Sequence, residues 1–335
     1  MTDRVTLALP SKGAIAEPTL NFLKDCGLRI DKPNPRQYTG SVASLPHVDV
    51  LFQRVTDVVY KVSDGTAQIG VTGLDVVHEH YDDDLIVIYP DLGYGQCKLL
   101  VAVPESWVDV ESMVDLVEVA ADYREYKHTN IRIATTYTNM TRQYFHQHGI
   151  HHFTIVNAEG AIEAAPTIGY ADLIVDLTQT GTTLRENHLK PLMDGVIVDS
   201  QACLVANKKA LRENPQVLNT ARILLEQIDA SLQGKQYSQL TVNIAGVDAQ
   251  DVARKVAHNP VTKGLQGPTI ARIYGDQVHG PSWFTVTIIV SNKQLLDAVE
   301  YLRQIGATQT TVSPLKYVFM EQSQAYTRLL EQLAL

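Results

Sequence analysis

The chain has 335 residues, 45% of them hydrophobic and 19% charged, a composition that excludes long disorder and a length that calls for two or three domains rather than one core. Its formal net charge of −9 repels polyanions over the whole surface and excludes nucleic acid or an acidic membrane as the main partner, so an anionic substrate has to be held by local donors. Cys26, Cys97 and Cys203 are too scattered for a disulfide framework or a metal motif, and no apolar run is long enough for a bilayer span or placed as a signal, so a cytoplasmic protein is expected.

From Arg4 to about Leu92, short apolar runs (VTLALP, VDVLFQ, AQIGVTG) alternate with helical patterns, the first of which, AEPTLNFLKDCG, stops at Gly27. That alternation predicts an α/β layer structure. A second α/β unit, from about Gly95 to Lys190, has KLLVAVP, IRIATTY, FTIVNAE and ADLIVD as buried strands and TRQYFHQHG as a helix ending at Gly149. The segment VIVDSQACLVANKKALRENPQVLNTARILLEQIDA then supplies a strand, a loop and a long helix that return to the first unit. After Gly234 the order strand, helix, strand, strand, helix, strand predicts a ferredoxin-like βαββαβ module. Its second helix is marked by a cap at Ser291 or Asn292, by Leu295, Leu296, Val299 and Leu302 at helical spacing, and by Gly306 as its stop. A final amphipathic helix places Tyr326, Leu329, Leu330 and Leu333 on one face.

The stretch ADLIVDLTQTGTTLREN carries the chemistry. An apolar strand delivers Asp176 to its C-terminal end, the edge at which open α/β sheets bind ligands. In the Thr/Gly loop that follows, small residues let backbone N–H groups turn inward, and the hydroxyls of Thr178, Thr180, Thr182 and Thr183 add donors before a helix begins. A phosphate monoester fits such a cradle, and Asp176 is an acceptor suited to ribose hydroxyls. The same residues also make an ordinary polar turn with a helix cap, so the local pattern leaves both readings open.

The wider sequence resembles the ATP phosphoribosyltransferase family. In that family E-G-x-x-E followed by G-x-A-D-x-I-V-D-L-x-x-T-G-x-T-L binds phosphoribosyl pyrophosphate; here it reads Glu159, Gly160, Glu163, Gly169, Ala171, Asp172, Asp176, Thr180, Gly181, Thr183 and Leu184, with Thr178, Gln179 and Thr182 inside the loop. LALPSKG, NPRQYTG, LFQRVTDVVYKVSDG, IGVTGLDVV, LGYGQCKLLVAVP and IRIATTYTNMTRQYF match at corresponding positions. The resemblance implies an α/β fold with a two-lobed catalytic core like type II periplasmic binding proteins, followed by a C-terminal ferredoxin-like (ACT-like) regulatory domain that senses histidine. The expected domains are residues 1–94 with 192–232, residues 95–191 with the phosphoribosyl pyrophosphate loop, and residues 235–335. Lys12, Gly13, Arg36, Arg54 and Asp75 fall in motifs implied to contact ATP, with Lys12, Arg54 and Asp176 closest to the chemistry; Leu265 and Thr269 fall where the family holds histidine. Many relatives have an arginine directly after Lys-Gly, where this chain has Ala14. The implied reaction joins ATP and phosphoribosyl pyrophosphate, with Mg2+ held mainly through substrate phosphates, in a homo-oligomer (dimer to hexamer) that needs no separate regulatory subunit.

Two other readings compete. His78 and His80 precede a run of aspartates, and His146, His148, His151 and His152 cluster around Gly149, residue types that bind transition metals; but members two apart on a helix do not share a face. A non-catalytic two-lobed small-ligand-binding protein has the same α/β outline and would bind both substrates without converting them.

Overall fold

The computed structural model describes residues 4–34, 36–158, 160–274 and 281–334. The chain forms two compact units, residues 1–221 with 332–335, and residues 222–331. The strands of the first unit are, in chain order, β1 (Val5–Pro10), β2 (Ile30–Asp31), β3 (Thr39–Val42), β4 (Leu45–Gln53), β5 (Ile69–Gly73), β6 (Leu85–Tyr89), β7 (Cys97–Pro104), β8 (Ile131–Thr135), β9 (Phe153–Asn157), β10 (Leu173–Thr178), β11 (Leu189–Ser200) and β12 (Ala202–Asn207). They build two sheets, ordered β2-β3-β4-β1-β5-β12-β6 and β11-β7-β10-β8-β9.

The two sheets share one plan. In the first, β4, β1 and β5 run parallel, and β12 inserts antiparallel between β5 and β6. In the second, β9, β8 and β10 run parallel, and β7 inserts antiparallel between β10 and β11. Each inserted strand arrives from the other sheet: β7 follows β6, and β12 follows β11 after the single residue Gln201. The chain therefore crosses twice between lobes, the topology of the two-lobed type II arrangement. Strands covered by helices on both faces must be apolar throughout, and β5 and β12 are buried at every residue. In β10 the burial stops part-way: Leu173, Ile174 and Val175 are fully buried, whereas Asp176, Leu177 and Thr178 are half-buried at the open edge.

Two sequence expectations need correction. FTIVNAE is no buried strand: β9 is the sheet's outermost strand, with every residue at least partly exposed. The expected single strand in VIVDSQACLVAN is parts of two strands in different sheets, followed by the helices Lys208–Glu213 and Pro215–Gly234. Both halves are apolar, and neither Gly nor Pro punctuates the join, so local pattern gives no sign of the crossing.

The second unit holds β13 (Tyr237–Gly246), β14 (Thr269–Ile273), β15 (Ser282–Ser291) and β16 (Ala307–Pro314) in the antiparallel order β14-β15-β13-β16. That is the ferredoxin-like arrangement that the strand and helix order predicts. Leu240, Val242, Ile244, Phe284, Val286 and Ile288 form its core with Val252, Val256, Ala298 and Leu302 from the helices Ala249–Ala257 and Leu295–Gln304. Of the two expected caps Ser291 is used: its side chain accepts the Lys293 N–H, and a 3-10 turn, Asn292–Gln294, precedes the helix. Leu296, expected on the apolar stripe, is 81% exposed, because one residue rotates a helix by about 100° away from Leu295. In the final helix, Gln324–Leu333, Ala325, Leu329 and Leu333 are buried, while Tyr326 and Leu330 are half-buried. No helix among the described residues is long and apolar enough to cross a membrane.

Candidate active site

A cleft cavity of ≈ 380 Å³ is lined by Ala14, Ile15 and Val55 from one lobe and by Tyr137, Leu177, Thr178 and Gln179 from the other. It lies at the C-terminal ends of the parallel strands. Asp176 and Thr178 end β10, and the loop then turns through Gly181, whose φ of +70° is left-handed and favours glycine. Thr178 Oγ1 accepts the Gly181 N–H at 2.9 Å, and the hydroxyls of Thr180 and Thr182 are 3.0 Å apart. Gln179, Thr180, Thr182 and Thr183 are exposed. The loop is thus shaped by its own hydrogen bonds, with hydroxyls left facing solvent where the helix Thr182–Glu186 begins.

Behind the loop, Ile162, Ala165, Ala171, Ile174 and Leu184 share one buried cluster. That packing joins the segment carrying Gly160 and Glu163 to β10 and to the loop helix. Gly160 is exposed with a φ of +77°; Glu159, expected beside it in the site, lies outside the described residues. Burial, with the nearby Glu163 charge, raises the Asp176 carboxyl to a pKa of about 6, against the opposing Leu177 N–H, which donates to Oδ1 at 2.8 Å.

The other lobe presents cations. The Ser11 N–H donates to the Gln53 carbonyl at 2.7 Å, so the loops leaving β1 and β4 run side by side. Lys12 and Arg54 each follow a member of that bonded pair. Both are exposed, and their side chains make no ion pair among the described residues. Gly13 follows in a left-handed turn, φ +89°. Arg36 sits in the β2–β3 connection, further out along the sheet, its N–H bonded to Asn34 Oδ1 at 2.9 Å. Ala14 is exposed and lines the cavity where relatives are expected to carry arginine.

Asp75 also borders the cavity but is 4% exposed, and both of its oxygens are engaged: Tyr137 Oη donates to Oδ2 and Ser200 Oγ to Oδ1, each at 2.6 Å. Cys97 lines the same cavity, its thiol pushed up to about 11 by burial and by the Asp75 charge. Sequence reasoning does not single out Tyr137, Ser200, Cys97 or Glu79 as site residues, since their partners lie far along the chain and no local spacing marks them. In the second unit Leu265 is 40% exposed and Thr269 is exposed at the start of β14, between the left-handed Gly264 and Gly267 and the sheet. The His146 and His151 rings lie tilted to each other with centroids 5.4 Å apart, His148 Nδ1 meets the Tyr144 carbonyl, and among the described residues no group of three potential ligands is placed to hold a metal.

A cleft with a hydroxyl-rich loop beside an aspartate on one lobe, and with cations that make no ion pair among the described residues on the other, suits phosphorylated ligands. One family profile, described as ATP phosphoribosyltransferase, matches residues 54–233, and one described as HisG, C-terminal domain, matches residues 234–317. ATP phosphoribosyltransferase 2, chloroplastic, of Arabidopsis thaliana is 38% identical over 337 residues, covering 99% of this chain and 81% of that protein. ATP phosphoribosyltransferase of Bradyrhizobium diazoefficiens is 35% identical over 332 residues, 98% of each. A chain of the solved ATP phosphoribosyl transferase (HisG:HisZ) complex from Thermotoga maritima is 27% identical with a TM-score of 0.52, covering 67% of this chain and 98% of that one. The chain belongs to the ATP phosphoribosyltransferase family, transferases of histidine biosynthesis, in the long form with the C-terminal domain. That membership sets the non-catalytic receptor reading aside.

Proposed function

We propose that this chain brings ATP to lobe one and phosphoribosyl pyrophosphate to lobe two, and that an adenine ring nitrogen attacks the anomeric carbon with inversion as pyrophosphate leaves. The observation that carries this assignment is the Thr178–Thr183 loop, glycine-turned and open to the cleft, directly after Asp176. The loop N–H groups and hydroxyls take the 5′-phosphate, and Asp176, backed by Glu163 and Gly160, takes the ribose hydroxyls. Lys12, Gly13, Arg36 and Arg54 hold the phosphates of ATP, the first and last from adjacent loops at one edge. Positive charge grows on the ribose and negative charge on the departing group, so catalysis rests on positioning and on preorganised charge.

Magnesium fits this donor set: Asp176 is a half-buried carboxylate whose ionisation burial disfavours, and a cation held nearby, mainly through the substrate, would offset that cost. When bound, the ion neutralises the leaving pyrophosphate. Histidine binds the second unit at Leu265 and Thr269, and the protein assembles as a homo-oligomer. The chain carries its own C-terminal domain, whereas two-thirds of it accounts for almost all of the Thermotoga maritima chain from a two-protein complex; no separate regulatory subunit is needed here. A cytoplasmic location accords with three free cysteines, two of them buried. Incubating the purified chain with ATP, phosphoribosyl pyrophosphate and magnesium should release pyrophosphate in step with an absorbance change from the new nucleotide; binding of both substrates without either signal would return the receptor reading.

A further inference from the structure

Two buried carboxylates one helical turn apart reach across the cleft. In the helix Leu74–Glu79, Asp75 and Glu79 stand at i and i+4, on one face, and are 4% and 5% exposed. Glu79 accepts the N–H groups of Asn139 through Oε1 at 2.8 Å and of Met140 through Oε2 at 3.0 Å, and its carbonyl accepts from Asn139 Nδ2 at 3.0 Å. Asn139 and Met140 are the second and third residues of the helix Thr138–Gln147 in the other lobe. Those are the N–H groups that a residue just ahead of a helix ordinarily satisfies, yet Tyr137, which holds that place, makes no such side-chain bond. Its hydroxyl goes instead to Asp75, whose second oxygen is taken by Ser200 at the end of β11. The helix of lobe two is thus capped from lobe one, and the aspartate of lobe one is satisfied from lobe two and from the crossing strand.

Each of the four carboxylate oxygens has one donor, and a buried polar group is costly to keep unless it is hydrogen-bonded. We infer that Asp75 and Glu79 form a two-point clasp that sets the register of the lobes and holds the Tyr137 ring against the cleft. They are positioning residues for the transfer step rather than ligands of either substrate. The inference rests on the substrate placement proposed above: with one substrate on each lobe, the approach of nitrogen to anomeric carbon is governed by how the lobes are held. A misplacement of about 1 Å costs on the order of 10²-fold in rate, while each substrate keeps the contacts of its own lobe.

Glu79→Gln retains the shape of the side chain but turns an amide group against one of the N–H donors; Asp75→Asn replaces one carboxylate acceptor with an amide donor, so one of the two hydroxyls must reverse its role and the hydrogen bond weakens. For each, kcat should fall by about tenfold or more while both KM values stay within about threefold. Amide exchange at Asn139 and Met140 should accelerate in Glu79→Gln, and Tyr137→Phe should cost much less on the Asp75→Asn background than alone. A rise in the KM for ATP at constant kcat would make these residues nucleotide ligands and overturn the clasp, as would unchanged kcat or unchanged exchange. Glu79→Ala removes both acceptors; should it fail to fold, Glu79→Gln carries the test. If the wild-type chain does not convert ATP and phosphoribosyl pyrophosphate, the functional reading fails separately, because amide exchange reports on the clasp without turnover.

Discussion

The two lobes share a strand plan and differ in what they place at its open edge. The third parallel strand of lobe one, β5, runs into a helix whose carboxylates are spent across the cleft. Its counterpart in lobe two, β10, runs into a loop of hydroxyls left open to the cleft. The β1 and β4 ends of lobe one carry Lys12 and Arg54, whereas the corresponding ends of β8 and β9 lead to Tyr137 and to the Gly160 segment. One scaffold thus yields a cationic edge suited to a flexible polyphosphate and a largely neutral edge suited to a phosphate monoester and a sugar. Ligand class follows the strand-end residues rather than the strands.

The sharpest way to break that contrast is to disable one edge at a time. Asp176→Asn with Thr180→Val should lower kcat/KM for phosphoribosyl pyrophosphate by about 10²-fold or more, because substrate hydroxyls and phosphate lose hydrogen-bond partners; near-normal steady-state kinetics would refute the assignment of lobe two. Lys12→Ala or Arg54→Ala should raise the KM for ATP by roughly tenfold, the loss of one charged hydrogen bond, and leave that for phosphoribosyl pyrophosphate nearly constant. An equal rise in both would mean that the edges are not specialised.

A smaller effect separates stability from activity. The folded pKa of Asp176, about 6, lies above the ordinary aspartate value of 3.8, so the folded protein binds the extra proton between those values. Stability is then lost as pH rises through that window. Asp176→Asn should escape the penalty, gaining of order 2 kcal/mol at pH 7 and little below pH 4, seen as a higher Tm at neutral pH in an enzyme that has lost activity. A variant no more stable than wild type at pH 7 would show that Asp176 is satisfied as an anion. Smallest is the effect in the second unit: Leu265→Ala with Thr269→Val should raise the histidine concentration for half-inhibition several-fold, and identical inhibition curves would move that site elsewhere.

Much of this was legible because it is local. The alternation of apolar runs and helices marks the α/β lobes, and the βαββαβ order appears in the chain as it appears in the sheet. The Thr/Gly loop announces itself by composition, and Gly181 confirms the turn by its φ of +70°. What stayed hidden is relational. Asp75 and Tyr137 are 62 positions apart, and Asp75 and Ser200 are 125 apart, so no local spacing joins the aspartate to the two hydroxyls that its oxygens accept. The crossing at Gln201 was missed for the same reason: sheet membership is decided by pairing, and VIVDSQACLVAN carries no breaker to signal it.

That one-residue crossing has an evolutionary consequence. Ser200 closes one sheet and Ala202 opens the next, with Gln201 alone between them. Side chains alternate faces along a strand, so deleting or inserting a single residue here would turn Cys203, Val205 and Asn207 to the face now held by Ala202, Leu204 and Ala206, or else drag Ser200 away from Asp75. Most surface connections absorb changes in length, but this one is a fixed reading frame shared by both lobes.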